Sequence, residues 1–200
     1  SFSRRQRQMC IRDSCNAMRV NFVGELGWEL HHPIEYQNHI FDQLMEAGKE
    51  FGIKPYGIRA MNSLRVEKSY KLVGTELSIE YSPYESGLDR FIHPNKGDFI
   101  GRAALDKWRA KGFSNKLVTM EIHGVTDADV LGNNPIYDNG SVVGRATSGD
   151  FGFRLNKSIA LGMVKPELAK VGQKLKIDIL GKMHEAVSYT HLTLPTTEAV

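Results

Sequence analysis

The hydrophobic positions of this chain change their period along its length. From Met18 to His31 apolar and polar residues alternate, the alternation breaks at Gly24 and Gly27, and it resumes at Trp28, Glu29 and Leu30. That pattern predicts two strand pieces around a tight turn or bulge. Between Glu35 and Phe51 the apolar residues Tyr36, Ile40, Phe41, Leu44, Met45 and Ala47 recur near helical spacing, behind Pro33 and ahead of Gly48 and Gly52. An amphipathic helix follows from that spacing. A second helix is expected over Ile58 to Tyr70, where Leu64 and Arg65 each lie three or four residues from both Met61 and Lys68. Ser82-Pro83 reads as a loop, Phe99-Ile100 as a short strand, and Gly101 to Lys111 as a third helix carrying Ala103, Leu105 and Trp108.

After Gly112 the period becomes two. Val118, Met120 and Ile122 alternate with their neighbours, and Ile136 to Asp138 and Ser141 to Gly144 flank Asn139-Gly140. That dipeptide is a strong hairpin signal, because both central residues of a type I′ turn need positive φ. Thr147 to Gly152 reads as a polar turn after a strand, and Ile159 to Val164 and Leu175 to Leu180 as further strands. The fold class is therefore α+β: a mixed α/β region over 15–112 followed by a small C-terminal β-barrel over 113–186, a sandwich being the other arrangement such strands allow.

The two ends differ in texture from this body. Arg4 to Ser14 read RRQRQMCIRDS and Val187 to Thr197 read VSYTHLTLPTT. Each resembles a translation of a transposase-based sequencing adapter, one strand at each end, and residues 1–14 and 187–200 are accordingly set apart from the fold.

Composition then narrows the class. The 200 residues are 41% hydrophobic, with two Cys. This supports a real core and excludes a disordered chain, a collagen and a disulfide scaffold. No apolar run approaches the roughly 18 residues of a membrane span, and none at the N-terminus resembles a signal peptide. The chain thus reads as soluble and intracellular. The formal charge is +3, but Arg4, Arg5, Arg7 and Arg12 lie in the adapter-like end. Without the ends the body is close to neutral, so neither nucleic acid nor a membrane is an expected partner. Cys10 leaves with them, and Cys15 alone allows no internal disulfide.

Candidate chemistry is concentrated in few places. The chain has no Walker loop, no G-x-G-x-x-G, no G-x-S-x-G and no metal-spaced Cys/His set, so no metal ligands are assigned. In GELGWEL, Gly24 to Leu30, the carboxylates Glu25 and Glu29 stand four residues apart around Gly27, with Trp28 as a flat apolar wall. One carboxylate there could grip the paired donors of an amino-pyrimidinone such as a pterin edge; the other reading is an edge turn with solvated glutamates. Arg59, Arg65 and Tyr70 on the second helix, and Tyr84 in the loop beyond it, are further candidates. Arg65 could pair with Glu67 or a ligand carboxylate and Tyr70 could stack on a ring, or they could be surface residues.

These residues fall into an ordered set of blocks: GELGWEL, AMNSLRVEKSY (Ala60 to Tyr70), SPYESGLD (Ser82 to Asp89), DFIGRAAL (Asp98 to Leu105), VVGRATSGDFG (Val142 to Gly152) and KSIALGMV (Lys157 to Val164). In order and spacing they resemble the folate-binding aminomethyltransferase family, and within it the C-terminal module of dimethylglycine/sarcosine-type dehydrogenases. The resemblance implies a module that captures a one-carbon unit as methylene-tetrahydrofolate, after an upstream FAD domain has oxidised an N-methyl amine. By the same resemblance Glu29 binds the pterin edge, Phe22 lines the ring and Tyr70 contacts the folate. The arginine that glycine-cleavage T-proteins carry four positions before Arg65 is replaced by Met61, leaving open which arginine serves. The family's catalytic aspartate lies upstream of Cys15, so no catalytic residue is assigned here and the chain alone is expected to be inactive. The implied partners are folate and the flavin domain in cis; the implied compartment is the cytoplasm of a bacterium or the mitochondrial matrix of a eukaryote. The alternatives are a glycine-cleavage aminomethyltransferase, which needs a lipoyl carrier and no flavin, and a non-catalytic folate-binding protein, whose K-G-C-Y-x-G-Q-E block is missing here.

Overall fold

The computed structural model describes residues 6–9, 15–125 and 127–189, the first stretch through its backbone only. The described residues form two compact units, one ending at Asn62 and one beginning at Ser63. The first unit holds an antiparallel three-stranded sheet, β1 (Gln6–Met9), β2 (Cys15–Met18) and β3 (Glu29–His31), in the order β1-β2-β3. Helix α1 (Gln37–Ala47) follows. It is shorter than the apolar spacing predicts, because 3₁₀ turns at Ile34–Tyr36 and Lys49–Phe51 take up both ends. The Gly48 N–H donates to the Leu44 carbonyl at 2.8 Å, and Gly52 turns the chain away at φ 68°.

Helix α2 (Ile58–Glu67) crosses from one unit to the next. It stops before Tyr70 because Ser69 takes a left-handed conformation, φ 55°, and the Tyr70 N–H returns to the Arg65 carbonyl at 2.9 Å. This is a Schellman-type end built without glycine. No strand forms at Phe99-Ile100. The Arg102 N–H donates to the Phe99 carbonyl, and Gly101 at φ 92° opens α3 (Arg102–Lys111). Among the described residues no helix is long and apolar enough to cross a membrane.

The remaining strands, β4 (Lys116–Ile122), β5 (Pro135–Asp138), β6 (Ser141–Gly152), β7 (Lys157–Val164), β8 (Lys174–Ile179) and β9 (Lys182–Tyr189), close into an antiparallel barrel in the order β4-β7-β6-β5-β8-β9. Period two puts Val118, Met120 and Ile122 of β4 and Leu175, Ile177 and Ile179 of β8 into one core with Ile136, Val143 and Val164. Strand β7 is buried on both faces: Ala160 and Val164 join that core, while Ile159, Leu161 and Met163 are buried outside it. This double burial accounts for its unbroken apolar run. The hairpin at Asn139-Gly140 forms as expected, with φ of 47° and 80°.

Two expectations change here. Thr147 to Gly152 is no turn but the end of β6, which continues past a register shift between Ala146 and Ser148. Gly149 permits this, since a Cβ there would stand 2.4 Å from the Val130 carbonyl oxygen. Strand β9, for its part, does not stop at Ala186: Val187, Ser188 and Tyr189 pair with Glu121, Met120 and Thr119 of β4 and close the barrel. Main-chain pairing asks only for extended backbone, so the register of β4 can order these adapter-like residues whatever their origin. The other adapter-like residues lie outside the described ones, apart from the backbone of β1.

Small barrels are filled by side chains, so their close strand contacts tolerate no added atoms. A Cβ on Gly144 would lie 2.2 Å from the Met163 carbonyl oxygen and 2.9 Å from the Val164 Cα, both backbone atoms of the paired strand. Gly144→Ala is expected to destabilise the chain by about 1–3 kcal/mol. Thermal unfolding followed by circular dichroism checks this, and an unchanged midpoint would show that the strand has room.

Candidate functional site

The GELGWEL segment is organised by the residue that precedes it. The Asn21 side-chain oxygen accepts the Gly24 N–H at 2.7 Å, Gly24 has φ 73°, and a Cβ on Gly27 would come within 2.9 Å of the Asn21 Cβ. Residues 22–26 therefore form bends folded over Asn21, the turn expected between the two strand pieces. This loop carries Phe22 and Glu25 half-buried and delivers Trp28, 45% exposed, to the start of β3. Glu29 is the first residue of β3, opposite Met18. Its carboxylate is about half exposed and lies 3.2 Å from the His31 imidazole, with lone pairs left for a ligand. Arg59 is exposed in the first turn of α2.

The second group of candidates lies in the barrel unit, and its charged members are buried. Ser63, Arg65 and Glu67 lie in the last turns of α2, which are buried all round, and are at most 4% exposed. The Ser63 hydroxyl donates to the Phe151 carbonyl at 2.6 Å, and a Glu67 carboxylate oxygen accepts the Arg154 N–H at 2.8 Å. The Arg65 guanidinium donates to the Tyr70 carbonyl at 2.9 Å and reaches Glu76 at 3.5 Å. Glu76, fully buried, also accepts from the Leu72 N–H at 2.8 Å, the Thr75 hydroxyl at 2.7 Å and the Ser148 hydroxyl at 2.5 Å. Burial alone would raise its pKa, but the hydrogen bonds from Ser148, Thr147, Leu72 and Thr75 outweigh it and hold the carboxyl below the ordinary range.

Arg65 is thus a joint between α2 and the barrel, with only 2% of its surface left for any ligand. Tyr84 is also a packing residue: its ring lies 5.5 Å from that of Phe113, and its carbonyl accepts from Lys116 at 2.8 Å. Tyr70 differs. Arg65 fixes its carbonyl, yet its ring is 38% exposed and walls a cavity of about 480 Å³. The structure therefore brings Phe22, Glu25, Trp28 and Glu29 together in one unit and places Tyr70 in the other. Sequence reasoning passed over Glu76, which no motif marks, and Arg145, whose guanidinium donates to the Tyr81 hydroxyl at 2.6 and 2.9 Å, to Asn133 at 3.3 Å and to Glu80.

Residues 2–96 match the GCVT N-terminal domain and residues 115–191 match the glycine cleavage T-protein C-terminal barrel domain. The chain belongs to the glycine cleavage T-protein family. Its relatives include human mitochondrial dimethylglycine dehydrogenase, 42% identical over 172 residues that make up 86% of this chain and 20% of that protein. An aminomethyltransferase of Desulfitobacterium hafniense is 36% identical over 86% of this chain and 47% of its own length. The chain thus spans about a fifth of the dehydrogenase and about half of the transferase. The solved structure of glycine cleavage system aminomethyltransferase T from Bartonella henselae shares the fold, with a TM-score of 0.79 at 23% identity over 88% of this chain and 48% of that one. In this member of the T-protein family the block Ala60 to Tyr70 and the block Val142 to Gly152 form one hydrogen-bonded joint, made by Ser63 to Phe151 and by the Arg65–Glu76–Ser148 bridge.

Glu76→Gln tests that joint. Leaving Arg65 buried without its counter-charge is expected to cost about 2–4 kcal/mol near neutral pH. Because the folded carboxyl titrates below its unfolded value, its contribution is present above the ordinary carboxylate range and is lost as pH falls through the folded value. The gap in stability between the parent chain and Glu76→Gln should therefore narrow on acidification, as denaturant unfolding at a series of pH values would report.

Proposed function

We propose that the chain is the tetrahydrofolate-binding module of an N-methyl amine dehydrogenase of the dimethylglycine/sarcosine type, in which folate takes up a one-carbon unit as methylene-tetrahydrofolate. The observation that carries this reading is the half-exposed Glu29 carboxylate at the first residue of β3, next in sequence to the 45% exposed Trp28. A fixed carboxylate accepts two parallel N–H donors of an amino-pyrimidinone, and an aromatic face at its side covers a flat ring. Phe22, in the loop over Asn21, lines that ring, and the family resemblance assigns Tyr70 to folate as well. Glu25 and Arg59 are auxiliary groups of the same kind, while Arg65 and Tyr84 act through packing.

In this assignment the flavin belongs to an upstream domain of the parent polypeptide and supplies the oxidation of the amine. The acid/base aspartate also lies upstream, so this chain binds and orients folate and does not catalyse by itself. Keeping folate beside the site of oxidation raises its effective concentration and limits loss of the reactive iminium to water. The compartment is the mitochondrial matrix in a eukaryote, in keeping with a human relative that is mitochondrial, or the cytoplasm in a bacterium. A second reading, a glycine-cleavage aminomethyltransferase, is favoured by the match to the T-protein barrel domain and by the transferase fold. The greater identity to the dehydrogenase places it second.

Glu29→Gln in the complete parent polypeptide should weaken tetrahydrofolate binding by roughly 1.5–3 kcal/mol, the scale of a hydrogen bond to a charged group. Titration calorimetry measures it, and equal affinity in the two proteins would remove Glu29 from the site. Flavin absorbance in the purified parent decides for the dehydrogenase, and its absence for the transferase.

A further inference from the structure

The cavity walled by Tyr70 has a strongly positive lining. Five of its lining residues are cations, Lys68, Lys71, Arg90, Lys116 and Lys170, and none is acidic. Lys116 is spoken for, since it donates to the Tyr84 carbonyl at 2.8 Å and pairs with Asp89 at 3.3 Å. Among the described residues the other four make no salt bridge. Lys71 is half-buried; burial lowers its pKa, neighbouring Arg90 lowers it further, and Glu76 opposes the shift from a distance. Glu76 offsets part of this charge through space, while its hydrogen bonds go to Arg65, Ser148, Thr75 and the Leu72 N–H and not to the cavity lysines. Behind the cations the wall is partly apolar, with Leu117 and Val118 beside the hydrogen-bonded Ser69 and Thr119 hydroxyls, 2.7 Å apart, and Ser188 and Tyr189 of the adapter-like end also line it.

Like charges gathered around a concave surface repel one another, and lysines in a solvated face are usually interspersed with carboxylates. A bound anion removes that repulsion and replaces the water lost by Lys71 with charge-assisted hydrogen bonds. The size of the space sets the class of ligand: about 480 Å³ suits a small molecule and not a polymer laid across a surface. We propose that this cavity is a binding site for a compact multivalent anion, a diphosphate or an oligocarboxylate, seated between Lys68, Lys71 and Arg90. The site stands without the folate assignment, with which it shares only the Tyr70 wall.

Titration calorimetry of the full chain with inorganic pyrophosphate and, separately, citrate tests the proposal at low and at physiological salt. Binding of at least one probe is expected, with affinity falling as salt rises. Pyrophosphate alone would identify a phosphate site, citrate alone a carboxylate site. Lys71→Gln with Arg90→Gln should reduce the affinity about tenfold or more, whereas Lys182→Gln, on β9 and outside the cavity lining, should leave it unchanged. Lys71→Gln alone serves if the double variant does not fold. Failure of both probes to bind at low salt, or equal affinity in the Lys71→Gln variant, would overturn the site. The probes carry no pterin, so their result is independent of whether Glu29 proves to hold folate.

Discussion

The carboxylate of Glu76 lies wholly out of water, and the barrel unit is arranged around the need to satisfy it. An ionised carboxylate in such a place is tolerable only when its lone pairs are taken up by donors. Those donors come from separated parts of the chain: Arg65 at the end of α2, Leu72 and Thr75 in the turn after it, and Ser148 on β6. Meeting the charge therefore ties the helix, the turn and the barrel strand to one point. Glu67 repeats the device a turn further on, by receiving the Arg154 N–H after β6 ends. Buried ion pairs add little net stability compared with apolar packing, yet losing one partner is costly. Such a pair fixes geometry more than it adds stability.

That fixed geometry extends to Tyr70, whose exposed ring walls the barrel unit's cavity. Its N–H is held by the Arg65 carbonyl and its carbonyl by the Arg65 guanidinium, so one residue sets both sides of the peptide that presents the ring. In the other unit a neutral side chain plays the corresponding part. Asn21 receives the Gly24 N–H and packs against Gly27, and the loop so pinned determines where Phe22, Trp28 and Glu29 emerge. Both sites use rigid local supports beneath exposed groups, which is what a binding surface requires if the ligand is not to pay for ordering it.

Legibility in the sequence followed the range of the interaction. Glu29, Phe22 and Tyr70 stand out as candidates from short blocks and a family resemblance, since the order of residues is itself the signal. The state of Arg65 and Glu67 was not legible: two residues apart on a helix, they read equally well as surface charges, and only their partners at Tyr70, Glu76 and Arg154 make them interior groups. Thr147 to Gly152 misled for a related reason. Its polar, glycine-rich composition is that of a turn, but pairing with β7 keeps it extended and places Ser148 on Glu76.

The sequence by itself determined what depends on neighbours along the chain. It set the period-two strands of β4 and β8, the positive-φ hairpin at Asn139-Gly140, the amphipathic core of α1, and a barrel-forming half after Gly112. Tertiary structure decided what depends on partners far apart in sequence. It carried β9 through Tyr189, because β4 offered an open edge to pair with. It tied the end of α2 to the barrel, because the Ser63 hydroxyl donates to the Phe151 carbonyl and the Arg154 N–H donates to Glu67. It also gathered Lys68, Lys71, Arg90 and Lys170 around one cavity. Side-chain periodicity is a local property and survives in any window of sequence, whereas burial and charge environment are properties of the folded neighbourhood and appear only once the barrel has closed.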